Sequence, residues 1–423
     1  MQNNEIKLKG LIKQELDSRK EGNKGTFSHS VGWPLYDERE LYAALDSLLD
    51  LSLSQGRRVR EFEQAYKNYL GLPEKSSAIA VNSGSSANLV AFASLIDAGK
   101  LKVGDEVIVP AATFATVSSI LYQLGLIPVY VDSEMDTWNM DPVQVRNSIT
   151  QKTKAVMVVH NLGFPAKMDE IMDVAKEYNL IVVEDCCEAH GSYYKGQQVG
   201  SIGHLATLSF FVAHNITTGE GGMIFIKDGK LNNKVRSIRE FGRSIDSSER
   251  FKCIENLGEY DTRYVFETLG FNVRMTDFAA AMGLVQLDKL ESLNSKRRRN
   301  AKKLTEIIKE YPNYLSTHKI SKDIAPGFYG FPIYLIPNKD IKRNELCKIL
   351  ESWGIETRPN MGGCLPDQPG FHGRKHRIYG SLKNARLIRD NSFFIGVHSE
   401  LEEKNFTNFK KALDSIFSTF AEK

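Results

Sequence analysis

Between residues 78 and 226 the chain alternates short β-rich apolar runs with stretches of helical spacing. The runs at 78–81, 106–109, 127–131, 155–159, 181–184, 206–211 and 223–226 have the β-branched and aromatic content of buried strands. Between them, 86–97 and 168–178 place their apolar residues at helical intervals. Such alternation predicts an α/β fold with a mostly parallel sheet covered by helices, in which ligands gather where loops leave the carboxyl ends of the strands. Beyond Thr276 the pattern changes to long helices, expected at 277–290 and 293–311. A strand (329–335), a helix (343–353), a Gly- and Pro-rich loop (359–373) and two closing helices follow. The division expected from this is an N-terminal helical extension (1–25), a large domain (26–290) and a smaller C-terminal α/β domain (291–423).

Composition narrows the class. The 423 residues are 42% hydrophobic and 25% charged, the profile of a globular protein large enough to bury a substantial core. Fifty-five Lys and Arg against fifty-two Asp and Glu leave a formal charge of +3, which gives no reason to expect a nucleic-acid partner. The basic run Lys296-Arg297-Arg298-Arg299 reads as a solvated helix face. Residues 1–25 lack the apolar stretch of a signal peptide, and the long uncharged run 107–131 is broken by Pro110 and Pro128 into strand, helix and strand, so no membrane span is expected. The five cysteines, Cys186, Cys187, Cys253, Cys347 and Cys364, are odd in number without CxxC spacing, which points to a reducing cytoplasm and to no local metal site.

Three segments carry chemistry. Asn82-Ser83-Gly84-Ser85-Ser86-Ala87-Asn88 follows a strand and opens a helix, where free amides, hydroxyls and the helix dipole form an anion site. Glu184-Asp185-Cys186-Cys187-Glu188 ends the apolar run 180–183 and puts Asp185 at the sheet's carboxyl edge, able to pair with a protonated ring nitrogen. In the stretch 209–222, Ser209 opens a turn rich in hydroxyls and glycine that carries His214, where several polar groups converge near strand ends.

In this order the segments resemble the DegT-type sugar aminotransferase family, fold type I pyridoxal-phosphate enzymes that act on nucleotide-linked keto-sugars. The resemblance runs from Leu53-Ser54-Gln55-Gly56 to Phe393-Phe394-Ile395-Gly396. It implies a large domain with a seven-stranded sheet, and phosphate binding by Gly84, Ser85 and Ser86 with help from Ser209. It also implies Phe114 stacked on the pyridine ring, Asp185 on the ring nitrogen, Glu188 on the ring's hydroxyl side, and Asn272 reaching the phosphate of a neighbouring subunit in a homodimer. Arg358 and Gln368 fall in the family's sugar-nucleotide region, with Arg274 a further basic candidate.

One departure bears on the reaction. Ordinary members carry Lys where this chain has His214, and imidazole cannot hold the cofactor as an imine. With an ordinary pKa near 6.5, His214 is suited instead to moving a proton. A His here is the mark of the family's 3-dehydratase branch, similar to the CDP-4-keto-6-deoxyglucose and GDP-4-keto-6-deoxymannose enzymes. There pyridoxamine phosphate condenses with the C4 ketone, the His takes a proton, and the C3 hydroxyl leaves. The N-terminal extension, the pair Cys186-Cys187 and the segment Tyr260-Asp261-Thr262-Arg263-Tyr264 resemble the CDP type more closely. That type uses an iron–sulfur cluster on four cysteines. Here only Cys187 and Cys253 match, so no cluster is expected, and the resemblance implies the route in which glutamate regenerates the amine. An aminotransferase, an iron–sulfur-dependent dehydrase and a non-catalytic binding protein are the competing readings.

Overall fold

The structure is a computed structural model that describes residues 2–22, 26–32, 34–245, 261 and 264–421. Cys253, Tyr260, Thr262 and Arg263 lie outside the described residues. The seven expected strands form, each within two residues of its predicted limits: β1 (Ser77–Val81), β2 (Glu106–Pro110), β3 (Ile127–Val131), β4 (Thr153–Val159), β5 (Ile181–Asp185), β6 (Leu205–Ser209) and β7 (Gly222–Ile226). Later in the chain come β8 (Leu315–Ser316), β9 (Phe331–Leu335), β10 (Thr357–Pro359), β11 (Arg377–Ile378) and β12 (Ser392–Ile395). The large sheet has the order β1-β7-β6-β5-β4-β2-β3-β11, with β7 antiparallel to both neighbours and the other pairs parallel. The eighth strand, β11, is two residues lent to the edge by the C-terminal part of the chain. An antiparallel sheet, β8-β9-β12-β10, forms the second unit.

The period-two pattern of the strands sorts their side chains onto two faces. Ile79, Val81, Val107 and Val109 join one buried cluster, while Ala78, Ala80, Ile108 and Val129 join the other. A sheet buried on both faces has its loops as the exits for polar chemistry, and the predicted chemical segments lie in those loops.

Two expectations are corrected. The helices expected at 277–290 and 293–311 are one helix, Asp277–Ile308. Glu291-Ser292 contains no Gly or Pro to stop it, and Leu287, Leu290, Leu293, Asn294, Arg297 and Asn300 continue a single buried face across the supposed break. For the same reason the basic run is not wholly solvated: one of four consecutive helical positions must turn inward, and Arg297 is only 2% exposed. At the chain start, Gln2–Gly22 is helical and packs on the helix Glu38–Leu49, with Lys9 lying 4.5 Å from the centre of the Tyr42 ring. Among the described residues no helix is long and apolar enough to cross a membrane.

Candidate active site

A cavity of about 320 Å³ opens at the carboxyl ends of the parallel strands. One wall is the turn after β1 and the start of the helix Gly84–Asp97. The first amides of a helix have no partner within it. Here that of Ser86 is taken by the Ser83 hydroxyl at 3.1 Å, while Gly84 and Ser85 line the cavity. Ser86 thus serves the cap and is not on the cavity wall, and Ser83, which was not singled out, takes its place there. Close packing demands glycine at two points: a Cβ on Gly84 would lie 2.6 Å from the Ser209 Cβ and 2.9 Å from the Cys187 sulfur, and one on Gly222 would lie 2.3 Å from the Ser83 carbonyl oxygen.

Asp185, the last residue of β5, forms the floor. Its Oδ2 accepts from Asn88 Nδ2 at 3.0 Å and its Oδ1 from the Cys187 amide at 3.1 Å. Asn88 is itself held, because its Oδ1 accepts from the Thr207 hydroxyl at 2.6 Å. The carboxylate is therefore fixed by neutral donors on one side and has no cation paired with it among the described residues. Beside it the Cys187 thiol is held well above its ordinary range by burial and by the Asp185 charge, so it stays protonated.

Glu188 faces the same space. Burial raises its pKa to about 8, the Asp185 charge adds to the rise, and the Leu162 amide donating at 2.6 Å opposes it. At neutral pH this side chain is a carboxylic acid with a proton to donate. The turn that supplies the Leu162 amide is left-handed at both Leu162 (φ 51°) and Gly163 (φ 85°), and Gly163 is a residue that adopts such a backbone without strain.

His214 closes the cavity from the loop between β6 and β7. Its ring lies 5.2 Å from that of Tyr329, 6.0 Å from that of His190 and 6.4 Å from that of Phe211. Nδ1 is enclosed and has no hydrogen-bond partner. Burial pushes its pKa well below 6.5, and the neighbouring His190 and the Arg297 charge push the same way, so the imidazole is neutral at pH 7. Phe114, 54% exposed, flanks the opening opposite.

The structure thus brings Gly84, Ser85, Phe114, Asp185, Glu188, Ser209 and His214 to one cavity. The others sit apart from it in this chain. Asn272 is exposed and accepts from Arg274 Nε at 3.2 Å. Arg274 lies over the Phe241 ring and 3.5 Å from Glu240. Arg358 bonds its own strand neighbours, the Thr357 carbonyl and Glu356, and Gln368 donates to the Gly362 carbonyl at 2.9 Å. Sequence reasoning missed Asn161 and Tyr329, both of which line the cavity. Each comes from a segment remote in sequence and is brought in by the left-handed turn, where Tyr329 donates its amide to the Leu162 carbonyl at 3.0 Å.

The sequence profile described as the DegT/DnrJ/EryC1/StrS aminotransferase family matches residues 35–414. Over 382 residues the chain is 36% identical to dTDP-4-dehydro-2,6-dideoxy-D-glucose 3-dehydratase of Saccharopolyspora spinosa, covering 87% of this chain and 82% of that one. It is 35% identical over 389 residues to GDP-perosamine synthase of Caulobacter vibrioides, covering 92% and 98%. A solved structure of a GDP-4-keto-6-deoxymannose-3-dehydratase (ColD) variant with bound GDP-perosamine is similar with a TM-score of 0.84 at 28% identity, covering 91% of this chain and 100% of that one.

Proposed function

Since the chain belongs to the DegT/DnrJ/EryC1/StrS aminotransferase family, we propose that it removes the C3 hydroxyl of a nucleotide-linked 4-keto-6-deoxyhexose to give a 3-deoxy-4-keto sugar. It is a pyridoxal-phosphate-dependent, sugar-modifying enzyme, and the cofactor works here in its amine form, pyridoxamine phosphate. The observation that carries the dehydratase reading is His214: a neutral imidazole, with no amine to hold the cofactor covalently, set in the cavity wall.

The donor set suits the cofactor at both ends. Gly84, Ser85 and Ser209 line the cavity together where a Cβ on Gly84 would not fit, beside a helix N-terminus whose dipole favours a phosphate, and would hold that group. Asp185, fixed by Asn88 and with no cation paired to it among the described residues, would take the protonated ring nitrogen. Glu188, protonated, would donate to the ring oxygen, and Phe114 would cover one face of the ring. When bound, the cofactor supplies an amine for the C4 ketone and an electron sink for the carbon that loses a proton.

His214 accepts that proton through Nε2, because Nδ1 is enclosed. As an imidazolium it is disfavoured by the same burial that kept it neutral, and it hands the proton to the departing C3 hydroxyl. One proton taken and one delivered balance the loss of water, so a single side chain serves both steps. Hydrolysis would then release the 3-deoxy-4-keto sugar and ammonia, glutamate would return the cofactor to the amine, and no iron–sulfur cluster takes part. Asn272, exposed outside this chain's cavity, is assigned to the site of a second subunit in a homodimer. Arg358, Gln368 and Arg274 are assigned to the nucleotide diphosphate.

A second reading, transamination to an amino sugar, draws on the similarity to GDP-perosamine synthase. Incubation with pyridoxal phosphate, glutamate and CDP-, GDP- and dTDP-linked 4-keto-6-deoxyhexoses, without reductase, separates the two by product mass. Net loss of one oxygen is expected; an amine in place of the keto oxygen overturns the proposal. Iron and labile sulfide in anaerobically purified protein would overturn the cluster-free route.

A further inference from the structure

The helix Asp277–Ile308 turns a polar face toward the His214 loop, unusual for the buried side of a long helix. Gln286 Oε1 accepts from the Thr217 amide at 3.0 Å, and Asn294 Oδ1 accepts from Asn215 Nδ2 at 2.8 Å while its Nδ2 donates to the His190 carbonyl at 2.7 Å. One turn on, Arg297 donates from Nη1 to the carbonyls of Phe328 (2.9 Å) and Tyr329 (3.2 Å), and its Nε has no partner. Among the described residues no carboxylate pairs with this guanidinium. A buried cation without a counter-ion carries a heavy desolvation cost. Fold stability is therefore a poor explanation for it.

Its surroundings offer another. Burial is the main cause of the lowered proton affinity of three histidines, His190, His214 and His398, and the Arg297 charge adds to it in each. Of these, His190 is fully hydrogen-bonded, and His398 bonds the Ser30 hydroxyl and the Glu400 amide away from the cavity. Only His214 lines the cavity. The other charged or titratable groups facing that cavity are Asp185, Cys187, Glu188, Glu220 and Tyr329. Of these, Asp185 and Glu220, when ionised, would favour an imidazolium, so a compensating positive charge has a use.

We propose that Arg297 is a positioning residue for His214: its guanidinium grips the Phe328 and Tyr329 carbonyls, sets the Tyr329 ring against the imidazole, and brings to that ring's surroundings a positive charge with no carboxylate partner among the described residues. The proposal rests on His214 as the base of the proposed reaction, and its test reads His214 directly. Protein labelled with ¹³C-histidine and loaded with cofactor is titrated by NMR, the His214 signal being assigned by its loss in His214→Asn. In Arg297→Met and Arg297→Gln the midpoint is expected to rise, the direction in which loss of a nearby positive charge moves an imidazole. In Arg297→Lys, which keeps the charge, it is expected to stay at the wild-type value. The acid limb of the dehydration rate should move with it. A folded Met or Gln variant with an unmoved midpoint, or a Lys variant that shifts like Met, overturns the proposal. A moved midpoint in a protein that performs no dehydration supports the role of Arg297 and removes the assigned reaction. Should neither neutral variant fold, the Lys variant and wild type decide: equal midpoints well under 6.5 support the proposal, and a midpoint at or above 6.5 in either overturns it.

Discussion

His190 and His214 lie ring to ring at 6.0 Å, yet they serve walls built to opposite ends, His190 from outside the cavity and His214 in its lining. On the strand-edge side, His190 Nε2 donates to the Ser209 carbonyl at 2.8 Å, which leaves Nδ1 to accept from the Tyr66 hydroxyl at 2.8 Å. Both nitrogens are committed, the tautomer is fixed by its partners, and burial lowers the pKa to about 4. In the loop opposite, His214 Nδ1 meets nothing and the ring is steadied by contacts with Tyr329, Phe211 and His190. Asp185 on the first wall is pinned like His190. A cofactor that must be held in one pose is served by a wall with nothing left to rearrange, and a group that must take up and release a proton is served by a ring not committed to fixed partners.

The comparison breaks most sharply at His214. His214→Asn should lower turnover by about 10²–10⁴-fold, the usual worth of a general base, while cofactor absorbance and thermal stability stay near wild type. Equal losses of binding and turnover would mean that the loop holds the cofactor too. On the fixed wall, Asp185→Asn exchanges a charge-assisted hydrogen bond for a neutral one. It should weaken cofactor binding by about 10–100-fold, measured by equilibrium dialysis. In Asn88→Ala the carboxylate stays but loses its brace, and a smaller loss is expected; a larger one would make Asn88 the true anchor.

Much of the fixed wall was legible in the chain. The apolar run 180–183 followed by Glu184-Asp185 could only place a carboxylate at a strand end, and the Ser- and Gly-rich turn after β1 could only open a helix. What escaped was supplied by tertiary contacts. Ser83 and Ser86 are chemically alike, and only the observed cap decides which one faces the cavity. Tyr329 reads as the first residue of a strand, but its amide is drawn to Leu162, so β9 starts at Phe331. Arg297 is hidden in a run of four cations, where composition says solvent and only the helical phase says core. Gln286, Asn294, Arg297 and Asn300 do repeat near helical spacing, a signal that the apolar residues around them mask.

His190→Asn sharpens the contrast from the other side. It strands the Tyr66 hydroxyl and the Ser209 carbonyl in the core and should cost about 1–3 kcal/mol of stability by chemical denaturation. The acid limb of the rate profile should also move toward higher pH, since His190 is one of the groups that disfavour an imidazolium at His214. An unmoved limb would show that the two rings act independently.

The smallest effect separates the two walls by pH. Glu188 has a folded pKa of about 8 against an ordinary 4.5, so above pH 4.5 the unfolded chain has released a proton that the folded one still holds. The folded state then binds more protons, and stability must fall as pH rises through the window from about 4.5 to about 8. The slope is at most about 1.4 kcal/mol per pH unit, and close to the folded pKa, between pH 7 and 8, about 1 kcal/mol is expected. Glu188→Gln keeps the shape and removes the titration, so its melting temperature should lose that slope between pH 6 and 8. His214 acts the other way below about pH 7, where the unfolded imidazole still binds a proton that the buried one does not, and adds little between pH 7 and 8; wild type and Glu188→Gln share that contribution, so the difference between them reads Glu188. A slope that survives Glu188→Gln would place the buried proton on another group, and the Leu162 turn would then be holding a carboxylate rather than a carboxylic acid.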